Sequence, residues 1–312
     1  MKNGYENESI AIARRKDYLD YQFSIKGPFW HLYTPGTNQE IIFHTEEDYR
    51  YGITSAAISI DNTVRIIASS VMSNHIHGIL AGTEQNCRDY FKRRKAILIR
   101  YVRSTGIDID FSHFNCSLAP INSIDALRTE IAYVHRNGYL VNPNCTPFSY
   151  PWSTGMYYFN PAACFGGKPF KELAYRKKRS ITHSRFLVLP DNYEVKDNCI
   201  FIPSFINIKE GENWFLNAHQ YFNILSRSRE AFGEVAKRLG EEIFLTDNEL
   251  FETLCTRCRK RFGESRPSAL SPNDKISVAV MMKTEFHASN GQIRRMLKLP
   301  DQLIRELFPL NP

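Results

Sequence analysis

The first patterned stretch follows Pro28. Phe29-Trp30-His31-Leu32-Tyr33 is aromatic and apolar and ends at Pro35-Gly36, a strand closed by a turn. Thr45 with Asp48 three residues on is a capping box that opens a helix through about Ser59. Val64 to Met72 is β-branched and apolar and reads as a strand, as does His75 to Leu80. Residues 84–104 form one long basic helix stopped by Gly106, and residues 111–120 are short and extended. Over 123–137, Ile124, Leu127, Ile131 and Val134 recur at helical spacing, with Ser123 to cap the helix and Gly138 to stop it. Residues 142–169 are rich in Pro, Gly, Asn and aromatics and read as a structured loop. Residues 170–250 mix short strand-like and helical runs.

The end of the chain is patterned again. Residues 275–286 are helical, Ser289 with Gln292 boxes a short helix through Leu297, and Leu299-Pro300 makes a turn. Asp301 then caps a helix carrying Leu303, Ile304 and Leu307, which completes a helix-turn-helix pattern. Residues 1–26 are a polar lead-in. The expected organisation is a first domain over 1–160, an accessory region over 161–268 and a helix-turn-helix-like DNA-binding module over 269–312.

Composition narrows the class. The chain has 312 residues, 43% hydrophobic and 23% charged, which excludes a disordered or fibrous protein. No apolar run approaches the ~18 residues of a membrane helix, and the N-terminus has no apolar core of a signal peptide. Seven cysteines fit free thiols in a reducing compartment, so the expected location is cytoplasmic, and nucleoid-associated when bound to DNA. The net charge is +7. Three short segments, 88–103, 168–185 and 257–266, carry 19 basic residues against 3 acids. Positive charge focused in this way suits a polyanion, because each neutralised phosphate releases condensed counterions. Solvated helix faces are the alternative.

The sharpest chemistry lies in Ser73-Asn74-His75-Ile76-His77-Gly78. Residues two apart in a strand share a face, so His75 and His77 present two imidazoles side by side, a natural pair for a divalent metal. On the 123–137 helix, Tyr133 and Asn137 stand one turn apart on one face. A tyrosine hydroxyl can attack a phosphate that a metal neutralises, and an amide oxygen one turn on could be a third ligand. Cys255 and Cys258 are half a zinc site with no second pair, and read as free thiols. Trp152, Tyr157, Tyr158 and Phe159 either stack on unpaired bases or pack a small core.

These motifs together resemble the single-tyrosine HUH transposases, and within them the REP-associated tyrosine transposases. The resemblance spans about residues 28–158. It rests on Phe29-Trp30-His31, Glu47-Asp48-Tyr49, Val71-Met72-Ser73-Asn74-His75-Ile76-His77-Gly78-Ile79-Leu80, Tyr133-Val134-His135-Arg136-Asn137 and Tyr150-Pro151-Trp152-Ser153. It implies an α+β fold, an antiparallel sheet with helices on one face, related to ferredoxin-like and RNA-recognition domains. It implies His75, His77 and Asn137 as metal ligands for Mg2+ or Mn2+, and Tyr133 as the nucleophile. The implied activity is a DNA nicking and joining enzyme that cuts single strands near hairpins through a 5′-phosphotyrosine link. The expected partner is single-stranded or hairpin DNA, with no membrane, and the expected state is a monomer with a dimer left open. Expected DNA contacts are Arg88, Lys92, Arg93, Arg94, Lys95, Arg100, Arg136 and Trp152, with Arg294, Arg295 and Arg305 in the C-terminal module. Gly138-Tyr139 after Asn137 keeps open a non-catalytic DNA-binding regulator, and the sheet with its basic segments an RNA-binding module.

Overall fold

A computed structural model describes residues 15–36, 39–141, 146–185, 188–227, 247–286, 288 and 290–308. Where the sequence suggests breaks near 160 and 268, the chain divides into two compact units, Met1–Val235 and Ala236–Pro312.

The first unit is built on β1 (Phe29–Tyr33), α1 (Glu46–Ser59), β2 (Arg65–Val71), β3 (Ile76–Ala81), α2 (Glu84–Ser104), β4 (Ser117–Ile121) and α3 (Ile124–Val141). The sheet order is β2-β3-β1-β4, with every neighbouring pair antiparallel. This is the βαββαβ arrangement of ferredoxin-like domains, so the α+β fold on an antiparallel sheet is as expected, but helices pack on both faces of the sheet and not on one. Within the lead-in, residues 15–26 are helical and Phe23 stacks on Phe29.

Local chemistry sets the element ends. Thr45 and Asp48 close a reciprocal capping box at the start of α1. α2 starts on Thr83, whose hydroxyl accepts from the Asn86 N–H, and stops before Gly106, whose φ is +80°. Ser123 Oγ caps α3 through the Ala126 N–H. That helix does not stop at Gly138 but runs on to Val141. A glycine inside a helix costs only about 1 kcal/mol, which neighbouring turns can offset.

The two faces of the sheet differ. Val71 lies opposite Ile76 in the ladder and Ser70 opposite His77, so adjacent residues send one pair to each face. A Cβ on Gly52 of α1 would come within 3.1 Å of Val71, which places α1 on the Val71 face. α2 packs beside α1: Tyr101 stacks on Tyr51 at 4.0 Å and its hydroxyl donates to Asp48. α3 covers the opposite face, the one that carries His31 and His77.

Residues 146–227 pack onto this frame. The outer edge of β2 is covered by the 150–158 loop, through a Ser70–Ser153 bridge and bonds from Tyr150 Oη to the Val71 carbonyl and from Tyr158 Oη to the Ile67 carbonyl. An unpaired edge would otherwise invite association. Tyr157 and Tyr158 are therefore core residues. A small sheet of β5 (Lys168–Pro169), β6 (Glu194–Lys196) and β7 (Cys199–Ile200), with α4 (Tyr175–Thr182), clusters Phe170, Ile181, Tyr193, Val195 and Ile200 against Ala57 of α1. Short helices α5 (Ile202–Phe205) and α6 (Ile208–Glu212) lead to Trp214, which meets Phe29 edge-on at 5.3 Å. The Trp214 carbonyl accepts from Arg128 of α3. α7 (Ala218–Arg227) packs along α3.

The second unit holds α8 (Asp247–Phe262), α9 (Pro272–Glu285), α10 (Asn290–Leu297) and α11 (Asp301–Leu307) around Leu254, Cys258, Met282, Ile293, Leu297 and Ile304. Cys258 is thus a packing thiol, and burial pushes its pKa up. Lys298, at φ +51°, turns the chain between α10 and α11. Pro300, not Asp301, stands at the start of α11, with no side-chain cap; Asp301 is already the first helical residue. Ser289 falls outside the described residues. No helix among the described residues is long and apolar enough to cross a membrane.

Candidate active site

His77 lies on β3 and His31 on β1, both with side chains toward α3. His75 stands two residues before His77, at the mouth of the strand. The alternation of the strand brings the two imidazoles together, with ring centroids 5.3 Å apart and planes at 81°. Tyr133 of α3 closes the group, its ring 5.7 Å from that of His77 and 5.8 Å from that of His31. Tyr33 stacks on His77 from β1 at 6.3 Å. Tyr133 is only 6% exposed, so it belongs to the packed face of α3 as well as to the cluster.

The orientation of His75 is set by its neighbour. The Asn74 amide nitrogen donates to the carbonyls of Gly36 and Gln39, both at 2.9 Å. That fixes the flip of the amide and turns Oδ1 toward His75 Nδ1 at 2.7 Å. His75 therefore donates from Nδ1, and in the neutral ring its Nε2 carries the lone pair. A Cβ on Gly36 would stand 2.9 Å from His75 Nδ1 and 3.3 Å from Asn74 Oδ1, so the cradle needs glycine there.

The two histidines fit a shared divalent cation. With metal–nitrogen distances of about 2.1 Å, two imidazoles on one ion have centroids about 5 Å apart, close to the 5.3 Å found. Among the described residues no group of three or more His, Cys, Asp or Glu side chains could hold a metal. Asn137 lies one turn beyond Tyr133. Its Nδ2 is buried with no hydrogen-bond partner among the described residues, and the atom an amide offers a cation is its oxygen, Oδ1. Asn137 makes no hydrogen bond to either histidine among those residues.

His31 and Glu130 are functional candidates that the sequence reading missed. His31 Nε2 is 2.8 Å from His77 Nδ1, and His31 Nδ1 is 2.6 Å from Glu130 Oε2, with His31 and His77 fully buried and Glu130 nearly so. One signal was present: Glu130 sits in the stripe of Leu127, Ile131 and Val134, where a carboxylate is out of place unless it is paired. His135, by contrast, faces away. Its ring bonds Tyr221 Oη and Thr154 Oγ1, both at 2.8 Å, and burial drives its pKa down to about 3. It is a neutral structural histidine.

Several expected DNA contacts are corrected. Arg94 is 2% exposed and its guanidinium donates to the Gly52 carbonyl and Ser55 Oγ, tying α2 to α1. Arg136 is 5% exposed on α3. Neither can lie along a phosphate backbone. Arg88, Lys92 and Arg93 are exposed but pair with Glu84, Asp89 and Asp61, which lowers the positive field of that helix. Lys95 donates to the Phe111 carbonyl and Asn115. Arg100 is exposed. All of these lie on α2, which packs with α1 on the sheet face away from the histidines. Trp152 is half-buried and stacks on Tyr49 at 5.3 Å. Arg294, Arg295 and Arg305 are exposed in the second unit.

No protein-family model matches the chain, and no curated protein matches it. A solved structure of a REP-associated tyrosine transposase bound to a REP hairpin is similar, at 15% identity over 44% of this chain and 82% of that chain, with a TM-score of 0.33.

Proposed function

We propose that the protein is a metal-dependent DNA nicking and joining enzyme that works on single strands near hairpins, with Tyr133 as its nucleophile. One observation carries the reading: a tyrosine on a helix packs against the imidazole of His77, whose ring lies beside that of His75 at a spacing that suits one cation. In this reading His75, His77 and Asn137 would hold Mg2+ or Mn2+, which supplies charge neutralisation at the scissile phosphate. Tyr133 Oη gives up its proton and bonds to phosphorus as the bond from phosphorus to the 3′-oxygen breaks. The 3′-oxygen takes a proton, leaving a 3′-hydroxyl and a 5′-phosphotyrosine. The covalent link keeps the phosphodiester bond energy, so rejoining needs no nucleotide cofactor.

The burial of Tyr133 favours a second reading, a DNA-binding regulator that keeps the fold without the chemistry. Labelled hairpin oligonucleotides with single-stranded flanks, incubated with Mg2+ or Mn2+ and with EDTA, separate the two. Cation-dependent nicking that leaves a free 3′-hydroxyl supports the enzyme. Salt-sensitive retention with no nick supports the regulator, and stronger retention of the RNA counterpart would point instead to an RNA-binding module.

A further inference from the structure

The chain Glu130–His31–His77 crosses from α3 through β1 to β3 entirely inside the protein, and the proposed chemistry leaves it without a task. Its hydrogen-bond direction decides what His77 can do. If the Glu130 carboxylate accepts from His31 Nδ1–H, His31 Nε2 holds a lone pair and must accept from His77 Nδ1–H. His77 Nε2 then holds a lone pair. If the proton order is reversed, or if His31 carries protons on both nitrogens, His77 Nδ1 becomes the acceptor and Nε2 carries hydrogen. A nitrogen carrying hydrogen cannot ligate a metal.

We propose that Glu130 and His31 are positioning residues that hold His77 as the Nδ1–H tautomer and so present its Nε2 to the cation. The proposal rests on the metal-site reading above. Two observations support it. The His31–Glu130 contact, at 2.6 Å, puts hydrogen on His31 Nδ1, since a carboxylate only accepts, and a neutral His31 must then accept at Nε2 from His77 Nδ1–H. Independently, Asn74 fixes His75 in the same Nδ1–H form. Both imidazoles then offer the same nitrogen to one point, each oriented by a partner on its other nitrogen, as metal-ligating histidines generally are. Two different devices reach the same result: a half-buried amide pinned by the Gly36 loop for His75, and a buried relay for His77.

The test uses the full chain with 15N-labelled histidine rings, free of metal. Long-range 15N–1H correlation spectra, with His77 assigned by its loss in His77→Gln, are expected to show a protonated Nδ1 and an unprotonated Nε2. A protonated Nε2 would overturn the proposal. Titration with Mn2+ alone, followed by its electron paramagnetic resonance signal, gives the second readout. His31→Leu is expected to weaken Mn2+ binding by about 10-fold or more. His31→Gln can still accept from His77 through its amide oxygen and donate to Glu130, and should keep affinity within a few-fold of wild type. Equal weakening by both variants, or none by His31→Leu, would overturn the relay. A wild-type protein with the expected tautomer that binds no Mn2+ would support the relay while contradicting the metal-dependent reading, so the two fail separately.

Discussion

At the scale of single residues, the site depends on small fits that composition does not reveal. Gly36 is one. An added methyl would press on His75 Nδ1 and Asn74 Oδ1 at once. Gly36→Ala is therefore expected to weaken Mn2+ binding several-fold while leaving the melting temperature nearly unchanged, since the loop lies outside the core. Titration and thermal melting on one preparation check both halves. Arg94 is the opposite case, a charge that reads as a DNA contact in sequence and is structural in space. Removing it takes one donor from the Gly52 carbonyl and the Arg94 donor from Ser55 Oγ, both buried. Arg94→Ala is expected to cost about 2–4 kcal/mol by urea unfolding, and Arg93→Ala, exposed and paired with Asp61, under about 1 kcal/mol. Equal effects would place Arg94 on the surface. The pairing of His75 with His77 was legible because strand alternation is a local rule. His31 and Glu130 were not, because their partners lie 46 and 99 residues away along the chain from His31.

At the scale of elements, periodicity located β1, α1, β2, β3, α2 and α3 to within a few residues, since each carries its own signal: the Thr45–Asp48 box, the β-branched run of β2, the apolar stripe of α3; β4, expected within 111–120, lies at Ser117–Ile121. What periodicity could not give was their order in the sheet. The insertion of β1 between β3 and β4, which brings His31 beside His77, comes from long-range pairing. Nor did it foresee helix running through Gly138, because a stop signal is only a local preference that packing can override. The capping box offers a clean test of how much α1 holds. Thr45→Ala removes the hydroxyl that accepts from the Asp48 N–H and is expected to cost about 1 kcal/mol. Because α1 sits on the face away from the histidines, Mn2+ affinity should not change. A shift in affinity would mean that α1 reaches the site.

At the scale of the whole molecule, residues 161–227 proved hardest to read, being short elements whose reasons for existing lie elsewhere in the chain. Tyr221 holds His135, Trp214 packs on Phe29, and the Trp214 carbonyl takes the Arg128 guanidinium. These contacts make the region part of the first unit. A chain ending at Val235 is expected to melt cooperatively, whereas one ending at residue 160 should lose its tertiary signal, having lost Trp214 and Tyr221. Near-ultraviolet circular dichroism distinguishes them, and a cooperative melt of the shorter chain would show that the sheet stands alone. The second unit has its own core and presents Arg294, Arg295 and Arg305 to solvent.

The claim that binds these scales is that Tyr133 attacks DNA, and covalent capture tests it most directly. Single strands flanking a hairpin, labelled at the 3′ end, are incubated with Mg2+ or Mn2+ and run on a denaturing gel. The wild type and Tyr139→Phe are predicted to give a protein–DNA band that EDTA abolishes. Tyr133→Phe, which removes one oxygen, is predicted to give none while retaining its fold and most of its DNA affinity. A band that survives in Tyr133→Phe, or a wild type that never forms one, would contradict the account.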